Sequence, residues 1–510
     1  MVSTKEQNGL SCDNVNWIPE TVHFYNRQDT ITHDEKTGLL SYPKKDFLTV
    51  PVHHTSSHKS YQSISPSDSF QESCHSDIST RSILLTYNGN MGTLGGGTSL
   101  VMTVASILPF LQGASVFSLP YAFVTAGKAF LPAFLTVNYL ATLCSRLLMD
   151  SIYVTSPDGT HRHRIYNSYA DLAFACWGQF GAVLMKILNY LFFLLVNVVN
   201  CVLLLRCLDN MLVGQDKVTP FQIQCVLLVL LIPFVLAIKD VSIFSYFGLF
   251  STLSVLLACV MSMFVLIQRS DRWIENFELL PVIDWEKYCA SLGITMVTMF
   301  VAPTLPGFES VMAEPKRFPT AINIAFGISG SFKAVFGIIG ALSFGSVTEE
   351  MLATNISESS LTLRFVVGTM LLINTLLNIT FFMFTLLDSI DRFVYQHISV
   401  RISSELKFSI PWKLTSRIIY LIIVLAASQL LPFFALTSGV IGAVLISILG
   451  FIAPVLFHLT LKWHVLSIQQ RFGELLLLFL TIFVGATASH SSCYELVKEV
   501  KKYHGLYKHT

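Results

Sequence analysis

Two apolar segments of the sequence are interrupted near their centres by Gly, Pro and small polar residues. The first contains Pro109 and Gly113, and the second contains Pro303 and Gly307. A helix that breaks inside a membrane leaves N–H groups at the start of one half and carbonyl groups at the end of the other half without partners. Paired breaks therefore predict the substrate site of a secondary transporter. Prolines that only kink packed helices are the alternative interpretation.

The residues around both breaks are small, polar or aromatic, and their backbone groups can bind a solute that has left water. We predict that eight of them line the site: Gln112, Gly113, Ala114, Ser115, Thr298, Phe300, Pro303 and Thr304. No metal-ligand spacing and no nucleophile motif occurs in the sequence. We therefore expect no catalytic residue, no metal site and no cofactor, and we do not expect an enzyme.

Two charged residues near the second break are candidates for coupling. Glu309 follows Pro306-Gly307, and Lys333 lies near the centre of the next apolar segment. Charge at membrane depth is expensive and indicates function by default. Glu309 either takes up a proton, pairs with a cation, or lies within reach of cytosolic water. Lys333 either pairs with Glu309, holds a substrate carboxylate, attracts chloride, or forms a structural ion pair inside the bundle.

The composition is that of a membrane protein. Of the 510 residues, 53% are hydrophobic and only 13% are charged, with a mean hydropathy of +0.60. Soluble domains carry about 25% charged residues. The net charge of +1 gives no indication of nucleic acid binding.

Apolar runs long enough to cross a bilayer predict an all-α, polytopic protein with about 11 transmembrane helices. We place them at 98–127, 129–153, 181–207, 220–238, 243–267, 291–313, 321–345, 361–387, 415–432, 434–460 and 472–490. The breaks fall in the first and sixth spans. Two halves of five spans, entering from opposite sides, predict a five-plus-five inverted repeat with an extra C-terminal helix, and the transporter domain covers 98–490.

The two ends of the chain differ from this domain. Residues 1–97 are rich in Ser, Thr, His, Asp and Gly, which predicts a disordered tail. The positive-inside rule places this tail in the cytosol, and residues 491–510 then form a short lumenal or extracellular tail.

Two short motifs suggest modification and sorting. Asn355-Ile-Ser357 falls in a predicted non-cytosolic loop and fits a glycosylation acceptor. Glu35, Leu39 and Leu40 fit an acidic dileucine motif, which sorting adaptors would bind. Such short motifs also arise by chance in disordered tails.

Several motifs resemble the amino acid/auxin permease family, and in particular its vesicular inhibitory amino acid transporters. They cover nearly all of 98–490, and they are Gln112-Gly113 followed by Leu119-Pro120-Tyr121-Ala122, Ser168-Tyr169-Ala170-Asp171-Leu172-Ala173, Leu305-Pro306-Gly307-Phe308-Glu309, Pro432-Phe433-Phe434-Ala435-Leu436, and Pro454-Val455-Leu456-Phe457-His458-Leu459.

The resemblance implies a LeuT-like carrier that couples amino acid transport to protons, with chloride as a second candidate ion. The vesicular members load GABA and glycine into synaptic vesicles, so a small neutral amino acid and a vesicle membrane are implied here. The third span departs from the expected pattern, because it has no carboxylate between Lys186 and Asn200. A plasma-membrane or lysosomal carrier of the same family, and an amino acid sensor without transport, are the alternatives.

Overall fold

A computed structural model describes residues 97–155, 162–212, 222, 241–398 and 405–507. The predicted tail up to residue 96, the dileucine residues Glu35, Leu39 and Leu40, and the predicted fourth span at 220–238, apart from residue 222, lie outside these residues.

The first half of the described chain contains five α-helices and one hairpin. Their bounds are α1 Leu100–Leu111, α2 Leu119–Ala126, α3 Phe130–Ser151, β1 Tyr153–Thr155, β2 Arg162–Arg164, α4 Tyr169–Leu212 and α5 Val241–Gln268. A 3₁₀ turn at Ala114–Ser118 joins α1 to α2. The strands pair antiparallel, with Tyr153 opposite Arg164.

The second half continues with ten α-helices. Their bounds are α6 Trp273–Leu279, α7 Trp285–Thr298, α8 Leu305–Ser310, α9 Phe318–Phe344, α10 Leu352–Ser359, α11 Leu361–Ile398, α12 Glu405–Leu430, α13 Phe434–Ile441, α14 Ala453–Lys462 and α15 Ile468–Tyr507. A 3₁₀ turn at Ala302–Thr304 joins α7 to α8, and a π-helical stretch at Gly442–Ile452 joins α13 to α14.

Ten of the predicted spans have a counterpart in the described chain. Eight helical segments are long and apolar enough to cross a membrane, and α1 with the helix at Ala114–Ala126 forms a further crossing bent by 53°. The shorter apolar helix Leu414–Leu430 lies where the ninth span is predicted. The protein is therefore an all-α, multi-pass integral membrane protein.

Both predicted breaks are present. The first span breaks between Leu111 and Ala114, and the sixth breaks between Thr298 and Ala302. Ser99 begins α1 by accepting a hydrogen bond from the Met102 N–H, and Asp284 begins α7 by accepting from the Lys287 N–H. The irregular backbone at both breaks leaves room between the halves of each helix.

Small residues let the sixth and tenth spans touch through their backbones. A Cβ atom built on Gly442 would lie 1.9 Å from the Gly293 carbonyl oxygen, and one built on Gly293 would lie 2.2 Å from the Gly439 oxygen. Only glycine at these places permits such an approach, which holds the broken helix α7 against α13.

The predicted C-terminal tail is helical as far as Tyr507. Residues from 491 onward, expected as a short tail, continue α15 as far as Tyr507. Ser492 of this helix donates to the Ala290 carbonyl of α7 at 3.3 Å. Packing against α7 thus extends the helix beyond the end of its apolar stretch.

Candidate functional site

A cavity of about 190 Å³ lies between the two halves of the first span and the helices packed on them. Five of the eight predicted residues line it: Gln112, Gly113, Ala114, Ser115 and Phe300. The remaining wall comes from α1, α4, α5, α7, α11 and α13. The prediction of a site beside the breaks therefore agrees with the position of the cavity.

The other three predicted residues do not line the cavity. The Thr298 hydroxyl donates to the Thr295 carbonyl at 2.8 Å, and the Thr304 hydroxyl donates to the Val301 carbonyl at 2.8 Å. Pro303 lies in the 3₁₀ turn that starts the second half of the sixth span. All three shape the break, so their assignment to the lining was wrong.

Two buried amides at the cavity have an unused polar atom. The Gln112 Nε2 donates to the Ser329 hydroxyl at 3.3 Å, but Gln112 Oε1 has no hydrogen-bond partner among the described residues. Asn200 Nδ2 likewise has none within the described part of the chain. A buried polar atom without a partner is costly, so each of these atoms would gain a favourable hydrogen bond if its side chain turned toward a solute in the cavity.

Sequence reasoning did not assign Asn200 to the site. Asn197 and Asn200 both lie on α4, three residues apart, and interhelical hydrogen bonding is the role that their positions in an apolar span predict for both. Asn197 donates to the Tyr420 hydroxyl at 2.8 Å and joins two helices. Asn200 instead lines the cavity, and only helix packing separates these two roles.

The lining has no charged side chain among the described residues. Its polar groups are amides and hydroxyls, and its apolar part includes six phenylalanines, namely Phe110, Phe192, Phe300, Phe381, Phe382 and Phe434. A solute with uncompensated net charge would lose its hydration here without an opposite charge in return. The cavity therefore favours a solute of zero net charge.

Lys333 lies behind the wall of the cavity. Its side chain is 0% exposed, and its Nζ donates to the Leu111 carbonyl at 2.8 Å and to the Thr298 carbonyl. Two of the four alternatives for Lys333 do not fit this position, because it does not pair with Glu309 and is not among the residues that line the cavity. Lys333 instead joins the ends of the two broken helices.

Glu309 belongs to a different cluster. Arg164 Nη1 donates to Glu309 Oε2 at 2.8 Å, Arg164 Nη2 donates to the Pro306 carbonyl at 3.0 Å, and the Tyr153 hydroxyl donates to Glu309 Oε1. Glu309 is only 2% exposed, which contradicts the interpretation that it lies in reach of bulk water. The β1–β2 hairpin thus binds the second half of the sixth span.

Glu350 lies at the other end of α9, a helix of 27 residues that begins close to Glu309. Its Oε2 accepts a hydrogen bond from the Ala435 N–H at 3.2 Å, at the start of α13. Burial raises the pKa of Glu350 to about 7, against the opposing effects of that hydrogen bond and of Arg206. Three lining residues, Phe434, Ser438 and Ile441, lie on the helix that this carboxyl caps.

Asn355 is not placed as a glycan acceptor. The side chain is buried, and its Nδ2 donates to the Val347 carbonyl at 2.8 Å while its Oδ1 accepts from the Glu349 N–H at 2.9 Å. With both polar atoms used, Asn355 organises the loop before α10, which corrects the expectation of glycosylation.

Known proteins share this sequence pattern over most of the chain. A family model described as "Transmembrane amino acid transporter protein" matches residues 96–498. The Vesicular inhibitory amino acid transporter of Xenopus tropicalis is 25% identical over 377 residues, covering 71% of this chain and 70% of that protein. The Vesicular GABA transporter of Caenorhabditis elegans is 24% identical over 375 residues, covering 71% and 73%.

A solved structure of MhsT in complex with L-phenylalanine aligns with 78% of this chain and 99% of its own, at 12% identity and a TM-score of 0.44. The family model covers well over half of the sequence and includes both breaks and every lining residue of the cavity. The chain therefore belongs to the transmembrane amino acid transporter family, and it is a carrier rather than an enzyme.

Proposed function

We propose that this protein carries small neutral amino acids, such as GABA or glycine, across a vesicular membrane in exchange for protons by alternating access. The observation that carries the proposal is the uncharged cavity beside the broken first span, with its two unpartnered amide atoms. Substrate sites at such breaks are general among secondary transporters.

The lining supports recognition of a zwitterion. Gln112 Oε1 can accept from the substrate ammonium, and Asn200 Nδ2 can donate to its carboxylate. The helix at Ala114–Ala126 starts at the cavity without a side-chain cap on its first turn, so its N–H groups and positive dipole end also favour the carboxylate. The carboxylate and ammonium together have zero net charge, which matches a wall without charged side chains.

The Arg164–Glu309 pair supports closure of one side. It ties the loop between the second and third spans to the second half of the sixth span. The loop charges place this side in the cytosol. Rocking one bundle against the other requires that such a link break and reform. Glu309 is also the carboxylate that we assign to proton coupling, because it becomes free to take up a proton when the link opens.

The vesicular membrane and the substrate class draw on the named relatives. Two proteins similar over some 70% of this chain are named as vesicular transporters, one of GABA and one of inhibitory amino acids. Chloride and sorting adaptors remain further candidates as partners, the latter through Glu35, Leu39 and Leu40.

Flux measurements test the proposal. Purified protein in liposomes should accumulate labelled GABA or glycine when a proton gradient is imposed. Excess unlabelled lysine or glutamate should not reduce that uptake. Uptake that is unchanged after the gradient collapses would refute proton coupling. Saturable binding without any flux would favour a sensor.

The location of a fluorescent fusion tests the membrane assignment. A fusion that moves from vesicles after Leu39 and Leu40 are replaced by Ala would support sorting by these residues. A plasma-membrane or lysosomal location of the intact protein would refute the vesicular assignment.

A further inference from the structure

One buried cation joins the two broken helices without belonging to the cavity lining. Leu111 is the last residue of α1 and Thr298 is the last residue of α7. Lys333 Nζ donates to the carbonyl oxygens of both, from the middle of α9. The Met299 sulfur, at 3.9 Å, is a third and weaker contact.

The physical setting is one that demands a cation. The last carbonyl groups of a helix have no partners within it, and they carry the negative end of the helix dipole. Here two such ends meet at one point in the bundle. Burying a charged ammonium is expensive, and Lys333 forms no ion pair with any carboxylate in the described part of the chain. The two helix ends therefore supply the compensating negative potential.

Broken-helix transporters commonly use such half-helix ends and unwound carbonyls to coordinate their coupling cation. We propose that the Lys333 ammonium is a tethered substitute for that cation, so that this carrier needs no Na⁺ at the helix ends. Removing the side chain would leave a site that accepts a small monovalent cation.

A tethered cation has a consequence for coupling. It cannot leave on the far side of the membrane, so it organises the breaks in every state without drawing on an ion gradient. Leu111 also lines the cavity, whereas Lys333 does not. Lys333 thus acts on the backbone that shapes the cavity and is a positioning residue.

Thermal unfolding of the purified full chain in detergent tests this inference without any transport step. The melting temperature of the wild type should be the same in NaCl and in choline chloride. Lys333→Ala should melt lower in choline chloride, and NaCl or ethylammonium chloride should restore most of the loss. Ethylammonium replaces the missing end of the lysine side chain, whereas choline is too large for the space.

Lys128→Ala is the matched control, because Lys128 also donates to a carbonyl, that of Glu278 at 3.2 Å, but is exposed. The melting temperature of this variant should be the same in NaCl and in choline chloride.

Two results would overturn the inference. One is a higher melting temperature of the wild type in NaCl than in choline chloride, and the other is a Lys333→Ala variant whose melting temperature neither Na⁺ nor ethylammonium restores. If Lys333→Ala yields no folded protein, the wild-type protein provides the test. A requirement for Na⁺ in the stability or flux of the wild type would refute the proposal that Lys333 replaces the cation. The inference rests on the proposed function only in that it takes the protein to be a carrier. A failed flux assay would not change the unfolding result.

Discussion

Arg164 and Glu309 form an ion pair at 2.8 Å between a hairpin in a loop and the second half of the broken sixth span. Arg164 also binds the Pro306 carbonyl, which lies in the same short helix. Arg164 therefore holds α8 through both a side chain and a backbone carbonyl, and it links the loop to the second half of the sixth span.

Replacing Arg164 alone should lower the stability of the protein more than replacing both members of the ion pair. Arg164→Ala leaves the Glu309 carboxylate buried without its cation, and such losses are about 3–5 kcal/mol. The double variant Arg164→Ala/Glu309→Gln should be more stable than Arg164→Ala alone. Chemical unfolding in detergent measures all four proteins of the cycle, and a double-variant loss equal to the sum of the single losses would contradict the coupling.

A side chain at Gly113 should block transport while the fold survives. A Cβ atom there meets only the Ser115 hydroxyl oxygen, at 3.7 Å, so a larger group would extend into the cavity. Gly113→Leu should abolish substrate flux and keep a monodisperse, cooperatively unfolding protein. Gly327→Leu is the control, because no atom lies within 4 Å of a Cβ built on that exposed glycine of α9; normal flux by Gly113→Leu would remove the first-span site.

Asn200 should contribute to substrate affinity. A hydrogen bond to a charged group is worth about 1.5–3 kcal/mol, so Asn200→Leu should raise the KM for a neutral amino acid by about tenfold or more. Asn189→Leu, on the same helix but outside the lining, should leave the KM unchanged. Equal KM values for the two variants would show that Asn200 does not bind substrate.

Glu350 should make stability fall as pH rises. Its pKa is raised from 4.5 to about 7 in the folded protein, so the folded state holds the proton more tightly than the unfolded state. This contribution is complete below the lower pKa and is lost as pH rises through the higher one. Between about pH 5 and pH 8, the melting temperature of the wild type should therefore decline relative to that of Glu350→Gln. Parallel curves for the two proteins would contradict the raised pKa.

The backbone contact between Gly293 and Gly442 should tolerate no methyl group. Gly442→Ala would force α7 away from the tenth span, and overpacking of this kind costs about 1–3 kcal/mol or more. Gly473→Ala, inside α15 with no atom within 4 Å of its Cβ, should not lower stability and should raise it by about 0.5–1 kcal/mol, because Ala favours a helix over Gly. Unfolding in detergent compares them, and an equally stable Gly442→Ala would show that the helices can separate freely.

Local sequence determined much of this protein by itself. Apolar runs determine which residues cross the membrane, because a lipid environment admits only helices whose backbone bonds are satisfied internally. Gly113 and Pro303 lie in the irregular stretches at the two breaks, and Pro109 lies in the last turn of α1 just before the first break, because Gly and Pro weaken a regular helix. The positions of Gln112 to Ser115 beside a cavity follow directly from that local signal.

The tertiary structure alone decided which partners the polar residues find. Arg164 and Glu309 lie 145 positions apart, and no periodicity links a hairpin to a broken helix. Lys333, whose charge suggested a carboxylate partner, instead binds the carbonyls of Leu111 and Thr298. Asn197 and Asn200 lie three residues apart on one side of α4, yet Asn197 meets Tyr420 whereas Asn200 lines the cavity. Such choices depend on distances between segments that are remote in the chain, and packing sets those distances only when the whole bundle assembles.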